Sequence, residues 1–148
     1  MIRTILVATD GSDHAKKALT LASDLGAKYG AKLILLHVPL FNVGSETLHA
    51  VATRSGLPKK LRDLLDNYEI DFQLGVAATG MGAAIGAGFA PPPRELVAAI
   101  GQQIIARAEK ITSKAGVKKV TSMITEGDPA DVILNTAVNC KADMIILG

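Results

Sequence analysis

The chain has little of what several function classes need. It is 148 residues long, lacks tryptophan, and holds only two tyrosines and three phenylalanines, 3% aromatics in all. Stacking surfaces for single-stranded nucleic acid are therefore scarce. Cys140 is the single cysteine, which rules out an internal disulfide and suits a reducing compartment. Charged residues make up 20% and the formal net charge is +2. No Lys/Arg stripe concentrates that charge along the sequence, so nothing points to nucleic acid. The first apolar run is broken by Thr9-Asp10-Gly11-Ser12-Asp13, too early for a secretory signal. The Gly/Ala-rich stretch from Gly75 to Pro93 is too short and glycine-broken to span a bilayer. These features together lead us to expect a cytoplasmic protein that partners neither nucleic acid nor a membrane.

What is present, 49% hydrophobic residues, is enough to bury a core in one domain. Ile2 to Ala8 is nearly continuously apolar and rich in β-branched residues, as expected of a strand covered on both faces. Ser12 is a natural N-cap. Ala15, Ala18, Leu19, Ala22, Leu25 and Tyr29 follow at helical spacing, and Gly30 closes that helix. Lys32 to Val38 reads as a second buried strand, ended by Pro39. From residue 40 to about 93 the alternation lapses. Leu57, Leu61, Leu64, Leu65 and Tyr68 suggest a short amphipathic helix, and Gly75–Pro93 a flexible insertion. Val97, Ile100, Ile104, Ala108, Ile111 and Ala115 then form one helical stripe, ended by Gly116. Val117 to Thr125 is a more polar strand suited to a sheet edge. Asp128 caps a helix that has Pro129 at its first position, with Ile133, Thr136, Ala137 and Cys140 on the buried face. Ala142 to Leu147 is a fourth strand. The order β-α-β-(insert)-α-β-α-β implies right-handed crossovers and a parallel α/β sheet. The pattern expects one further helix and strand after Gly148.

Several residue groups invite a chemical reading. Gly80, Gly82, Gly86 and Gly88 imitate a nucleotide loop, but no strand precedes them and no P-loop lysine follows. Asp10, Asp13 and His14 offer no fourth ligand and fit an exposed first helical turn better than a metal site. His37, inside an apolar strand, reads as a hydrogen-bonded core histidine, Cys140 as a buried small hydrophobe, and Lys59, Lys60 and Arg62 as a solvated helix face. No nucleophile, base and orienter stand together, so catalysis is not expected.

Four segments in order, Ile5–Ser12, Leu35-Leu36-His37-Val38, Gly127-Asp128-Pro129-Ala130 and Ala142–Gly148, resemble the universal stress protein family. The resemblance covers the whole of 1–148 except the insertion at about 40–93. It implies a Rossmann-like sheet of the adenine nucleotide alpha hydrolase type, strand order 3-2-1-4(-5), helices on both faces, and a homodimer through the fifth strand. It also implies an adenine nucleotide such as ATP or AMP, with Mg as a possible companion, and a regulatory stress-response role. By the resemblance, Ala8, Thr9 and Asp10 hold the adenosine end, in a loop continued by Gly11 and Ser12. Val38 is similar to the position that reads the adenine edge. Leu147 and Gly148 lead into a phosphate loop, Gly148 matching the first glycine of Gly-x2-Gly-x9-Gly-Ser/Thr. The chemistry agrees. Asp10 can accept from ribose hydroxyls or an exocyclic amine, Gly11 permits a sharp turn, and glycine-loop N–H groups suit phosphates. A nucleotide-free dimeric scaffold of the same fold is the alternative. An adenylating or weakly ATP-hydrolysing enzyme is the third reading; the motifs of the related ATP-pyrophosphatase and nucleotidyl-transferase folds, a Ser-Gly-Gly-x-Asp-Ser loop or His-x-Gly-His, are absent. The insertion leaves from the same sheet edge as Asp10, so it is expected to cover part of the pocket or to contact a partner.

Overall fold

The computed structural model describes residues 1–39, 49–50, 58–68 and 92–148. Most of the expected insertion, including Leu57, Gly75 and the glycines at 80, 82, 86 and 88, lies outside the described residues. The chain falls into two compact units, one of Met1–Pro39 with Gly101–Gly148, the other of Leu40–Ile100.

The first unit is built on four parallel strands, β1 (Thr4–Ala8), β2 (Lys32–His37), β3 (Val120–Ile124) and β4 (Met144–Ile146), in the order β3-β2-β1-β4. The expected order 3-2-1-4 holds. β1 lies between β2 and β4, with Val7 opposite Leu35 on one side and Ile146 on the other. Among the described residues, α1 (Asp13–Tyr29), α2 (Arg94–Lys114) and α3 (Pro129–Asn139) lead into β2, β3 and β4. Alternation along β1 and β2 sends side chains to both faces. Ile5, Val7, Leu33 and Leu35 join Ala18, Leu19 and Ala22 of α1 and Ile105 and Ala108 of α2 in one core. Leu6, Ile34 and Leu36 join Ala137 of α3 in a second, with Val132, Ile133 and Cys140 packed half-buried against it. Two covered faces explain why these strands read as unbroken apolar runs.

The second unit is described at residues 49–50 and 58–68, helical at 59–68, and through the first seven residues of α2. Leu65, Leu96, Val97 and Ile100 are buried there.

Local chemistry sets the helix ends as expected. The Ser12 side chain accepts from Ala15 N, Asp128 accepts from Ala130 N and Asp131 N ahead of Pro129, and Gly30 closes α1 in the left-handed conformation. Differences from the sequence reading cluster at strand ends and helix faces. Val117 donates its N–H to Thr112 O, which keeps it in the closing turn of α2, so β3 begins at Val120 rather than Val117. Ala142 is likewise held by Ala137 O, and β4 is three residues long. Tyr29, at the last helical position of α1, is 48% exposed instead of buried. Cys140 is half-buried.

Asp143 has a structural role that its sequence position did not announce. Its Oδ2 accepts from the N–H groups of Arg3 (2.7 Å) and Thr4 (2.9 Å), while its own N–H donates to Thr4 O. One carboxylate thus ties the start of β1 to the start of β4. These two bonds hold its pKa below the ordinary carboxylate range, with the Arg3 charge helping. A depressed folded-state pKa contributes stability that is present above the unfolded value and is lost as pH falls through the folded one. Asp143→Ala is therefore expected to melt at lower temperature than the parent at neutral pH. It should lose less on acidification below the unfolded value of 3.8, as read by circular dichroism melts across that range.

Candidate functional site

The carboxyl end of the sheet gathers the residues singled out in the sequence. Ala8 ends β1 opposite Leu36 of β2, and on the other side Val7 pairs with Ile146, so the chain at Leu147 and Gly148 runs beside Ala8 and Thr9. Val38 follows the last residue of β2 and is half-buried. Thr9 is buried and Asp10 and Gly11 are exposed. Leu147 is 59% exposed and Gly148 exposed. Ala8, Thr9, Asp10, Gly11, Ser12, Val38, Leu147 and Gly148 thus all lie along one edge.

The loop between β1 and α1 is held by its own side chains. Gly11 N donates to Thr9 Oγ1 at 3.2 Å, and Ser12 N donates to Asp10 Oδ1 at 2.8 Å. Gly11 has φ +80°, a left-handed conformation in which a Cβ is strained. A Cβ there would also stand 3.0 Å from Ile104 Cγ1 of α2. On the far side, a Cβ on Gly148 would collide with the backbone of His14. Gly148 therefore lies directly against the first turn of α1.

His37 connects this loop to β2. The parallel ladder between β1 and β2 runs as far as Thr9 N donating to Leu36 O at 2.9 Å. The Thr9 carbonyl, which would next accept from a β2 backbone N–H, instead accepts from His37 Nδ1 at 2.8 Å. A carbonyl only accepts, so Nδ1 carries the proton. Among the described residues the N–H of Val38 is left with no backbone partner. His37 is buried beneath α2, where a Cβ on Gly101 would reach 3.0 Å from its Cδ2 and 3.4 Å from its Nε2. Burial lowers the His37 pKa, against smaller upward pulls from the Thr9 bond and the Asp10 charge. Reading the sequence placed His37 in the core but missed this link and the approach of Gly101 and Ile104. The one signal was a glycine inside the helical stripe of α2, a cost of about 1 kcal/mol that a close neighbour explains.

Among the described residues no group of three or more His, Cys, Asp and Glu side chains is arranged to hold a metal ion. Asp10, Asp13 and His14 are all exposed. No described helix is long and apolar enough to cross a membrane.

The sequence model of the universal stress protein family matches residues 1–69 and 74–148. The chain belongs to this family. Among curated relatives it is similar to "Universal stress protein in QAH/OAS sulfhydrylase 3'region" of Thermus aquaticus, 26% identical over 152 residues that span all of this chain and 77% of the relative. It is also similar to universal stress protein YxiE of Bacillus subtilis (strain 168), 30% identical over 148 residues that span all of this chain and 79% of the relative. Universal stress protein UspA from Lactobacillus plantarum shares the fold with a TM-score of 0.60 at 18% identity, covering 99% of this chain and 77% of that one. A universal stress protein solved in complex with cAMP shares it with a TM-score of 0.53 at 19% identity, covering 97% and 70% respectively. Family and fold follow from these likenesses together with the sheet order already described.

Two outcomes are expected at this edge. Gly11→Ala should destabilise the protein by about 1–2 kcal/mol, the cost of left-handed backbone in a non-glycine residue, measured by urea unfolding. For His37, a lowered folded-state pKa means that its contribution is complete above the unfolded value of 6.5 and drains away as pH falls through the folded one. Melts at pH about 7.5 and about 5.5 should show the parent losing stability between them, and His37→Gln losing less.

Proposed function

We propose that this universal stress protein binds an adenine nucleotide at the carboxyl ends of β1, β2 and β4 and acts through conformation or partners in a stress response. The observation that carries this reading is the convergence of the Thr9–Ser12 loop, Val38 and Gly148 on one sheet edge, with both flanking strands parallel to β1. Open α/β sheets bind ligands at such edges. Asp10 is exposed and uses Oδ1 on Ser12 N, which leaves Oδ2 to accept from ribose hydroxyls. The Val38 N–H suits an acceptor on the adenine edge. Gly148, against the first turn of α1, suits an approach of phosphates, which bind to N–H groups at a helix start. Mg2+ would be carried by the phosphates with its own waters. The similar protein solved with cAMP supports an adenine compound as the ligand class.

Isothermal titration with ATP, AMP and cAMP tests the leading reading. The parent should bind at least one of them, and Asp10→Ala should bind about tenfold more weakly or worse, as expected for loss of a charged hydrogen bond. A folded parent that takes up none of the three would overturn it.

A further inference from the structure

The opposite end of the sheet collects positive charge that is scattered along the sequence. In a parallel sheet every strand starts at the same end, and here a basic residue stands at or just before the start of β1, β2 and β3, with Lys141 three residues ahead of β4. Lys119 O accepts from Leu33 N, and Arg3 O accepts from Lys32 N, so Lys119, Lys32 and Arg3 stand side by side ahead of β3, β2 and β1. Lys141 precedes β4 by way of Asp143, which is bonded to Arg3 and Thr4. Lys118 adjoins Lys119, and Lys28 and Lys114 lie in the last turns of α1 and α2, the helices that lead to β2 and β3. All seven are exposed. Arg3 acts on the Asp143 carboxylate; among the described residues the six lysines have no carboxylate partner in an ion pair.

Neighbouring carboxylates are few and engaged elsewhere. Asp143 spends its Oδ2 on two backbone N–H groups. Glu109 accepts the Ser122 hydroxyl at 2.5 Å. Asp24 stands four residues before Lys28 on α1. Asp10, Asp13, Glu126, Asp128 and Asp131 belong to the other end, on the loops and first turns that follow the strands.

We propose that the amino-terminal end of the sheet is a docking surface for the anionic face of a lipid bilayer. The cations spread in two dimensions. Three follow the sheet end across about 10 Å, two strand spacings of roughly 4.8 Å, Lys141 stands in the closing turn of α3, and Lys28 and Lys114 extend the patch into the layer of α1 and α2. A planar array of charge meets such a patch all at once, whereas an acidic peptide or one ridge of a duplex meets a line of it. Six of the seven are lysines, point charges without the planar fork that reads bases. Tyr29 is 48% exposed beside Lys28, whose Nζ lies 5.8 Å from the ring centroid. Tyrosine favours the headgroup level of a membrane. Clusters of four to eight cations bind anionic leaflets electrostatically and reversibly. The surface is independent of any nucleotide at the opposite edge.

Co-sedimentation of the full chain with vesicles tests this. Binding is expected to vesicles with about 30% phosphatidylserine in phosphatidylcholine, to be absent with phosphatidylcholine alone, and to vanish as salt shortens the screening length. Lys32→Gln/Lys118→Gln/Lys119→Gln should lower the affinity roughly a hundredfold, and Lys28→Gln/Lys114→Gln serves if the triple variant fails to fold. Lys16→Gln/Lys17→Gln, at the other end of α1, should leave binding unchanged. Equal binding to neutral vesicles, an equal loss in the Lys16/Lys17 variant, or no vesicle binding by the parent would overturn the proposal. So would tighter binding to mixed-sequence duplex DNA or polyglutamate at the same salt.

Discussion

The hydrogen bond from His37 to the Thr9 carbonyl is the constraint around which the carboxyl edge of the sheet is arranged. β1 and β2 stay paired up to Thr9 N and Leu36 O, and there an imidazole takes the place of the next backbone donor. The substitution ends the ladder without orphaning the buried Thr9 carbonyl, which would otherwise cost about 1–3 kcal/mol. It also frees the chain to diverge: β1 turns at Asp10 and Gly11 into α1, and β2 proceeds to Val38 and Pro39. Strand divergence at this point opens the edge on which Asp10, Val38 and Gly148 meet.

That bond depends in turn on packing from α2. The His37 ring lies under Gly101, and Gly11 faces Ile104 one turn further along. A helix distant in sequence thereby closes over both the loop and the histidine that positions it. Burial keeps the imidazole neutral, so the link is made by an uncharged donor in a mostly apolar setting. At the other end the corresponding link is exposed and made to a charged acceptor, the Asp143 carboxylate holding the Arg3 and Thr4 N–H groups beside β4. β1, central in the sheet, is thus anchored at both ends by side chains from its neighbours in space.

Much of the fold was legible because local signals and the global pattern agreed. Ser12 and Asp128 cap the helices that follow them, as their types predict, since short side chains before a helical stripe meet backbone N–H groups that need acceptors. Ile5 to Val7 and Leu33 to Leu36 are buried on both faces, and a run without polar alternation has few other solutions. Strand ends were less legible. Whether Val117 or Ala142 joins a strand depends on competition with the carbonyls of Thr112 and Ala137 at the close of the preceding helices, and no local pattern decides that. The loop residues of the candidate site were visible from their types, whereas the part played by Gly101 and Ile104 was not, because both read equally well as ordinary positions in a helix.

The sequence by itself determined the alternation of elements, their polarity, the caps, and through the four matching segments the family. These follow from interactions over a few residues and from periodicity. Tertiary structure alone decided which distant residues became neighbours. It set Gly148 against His14 at one end of the sheet, and it ranged Arg3, Lys32, Lys119 and Lys141 along the other. A net charge of +2 conceals that separation. Parallel strands send every start to one end and every finish to the other, and only the assembled sheet turns positions far apart in the chain into two faces of opposite character.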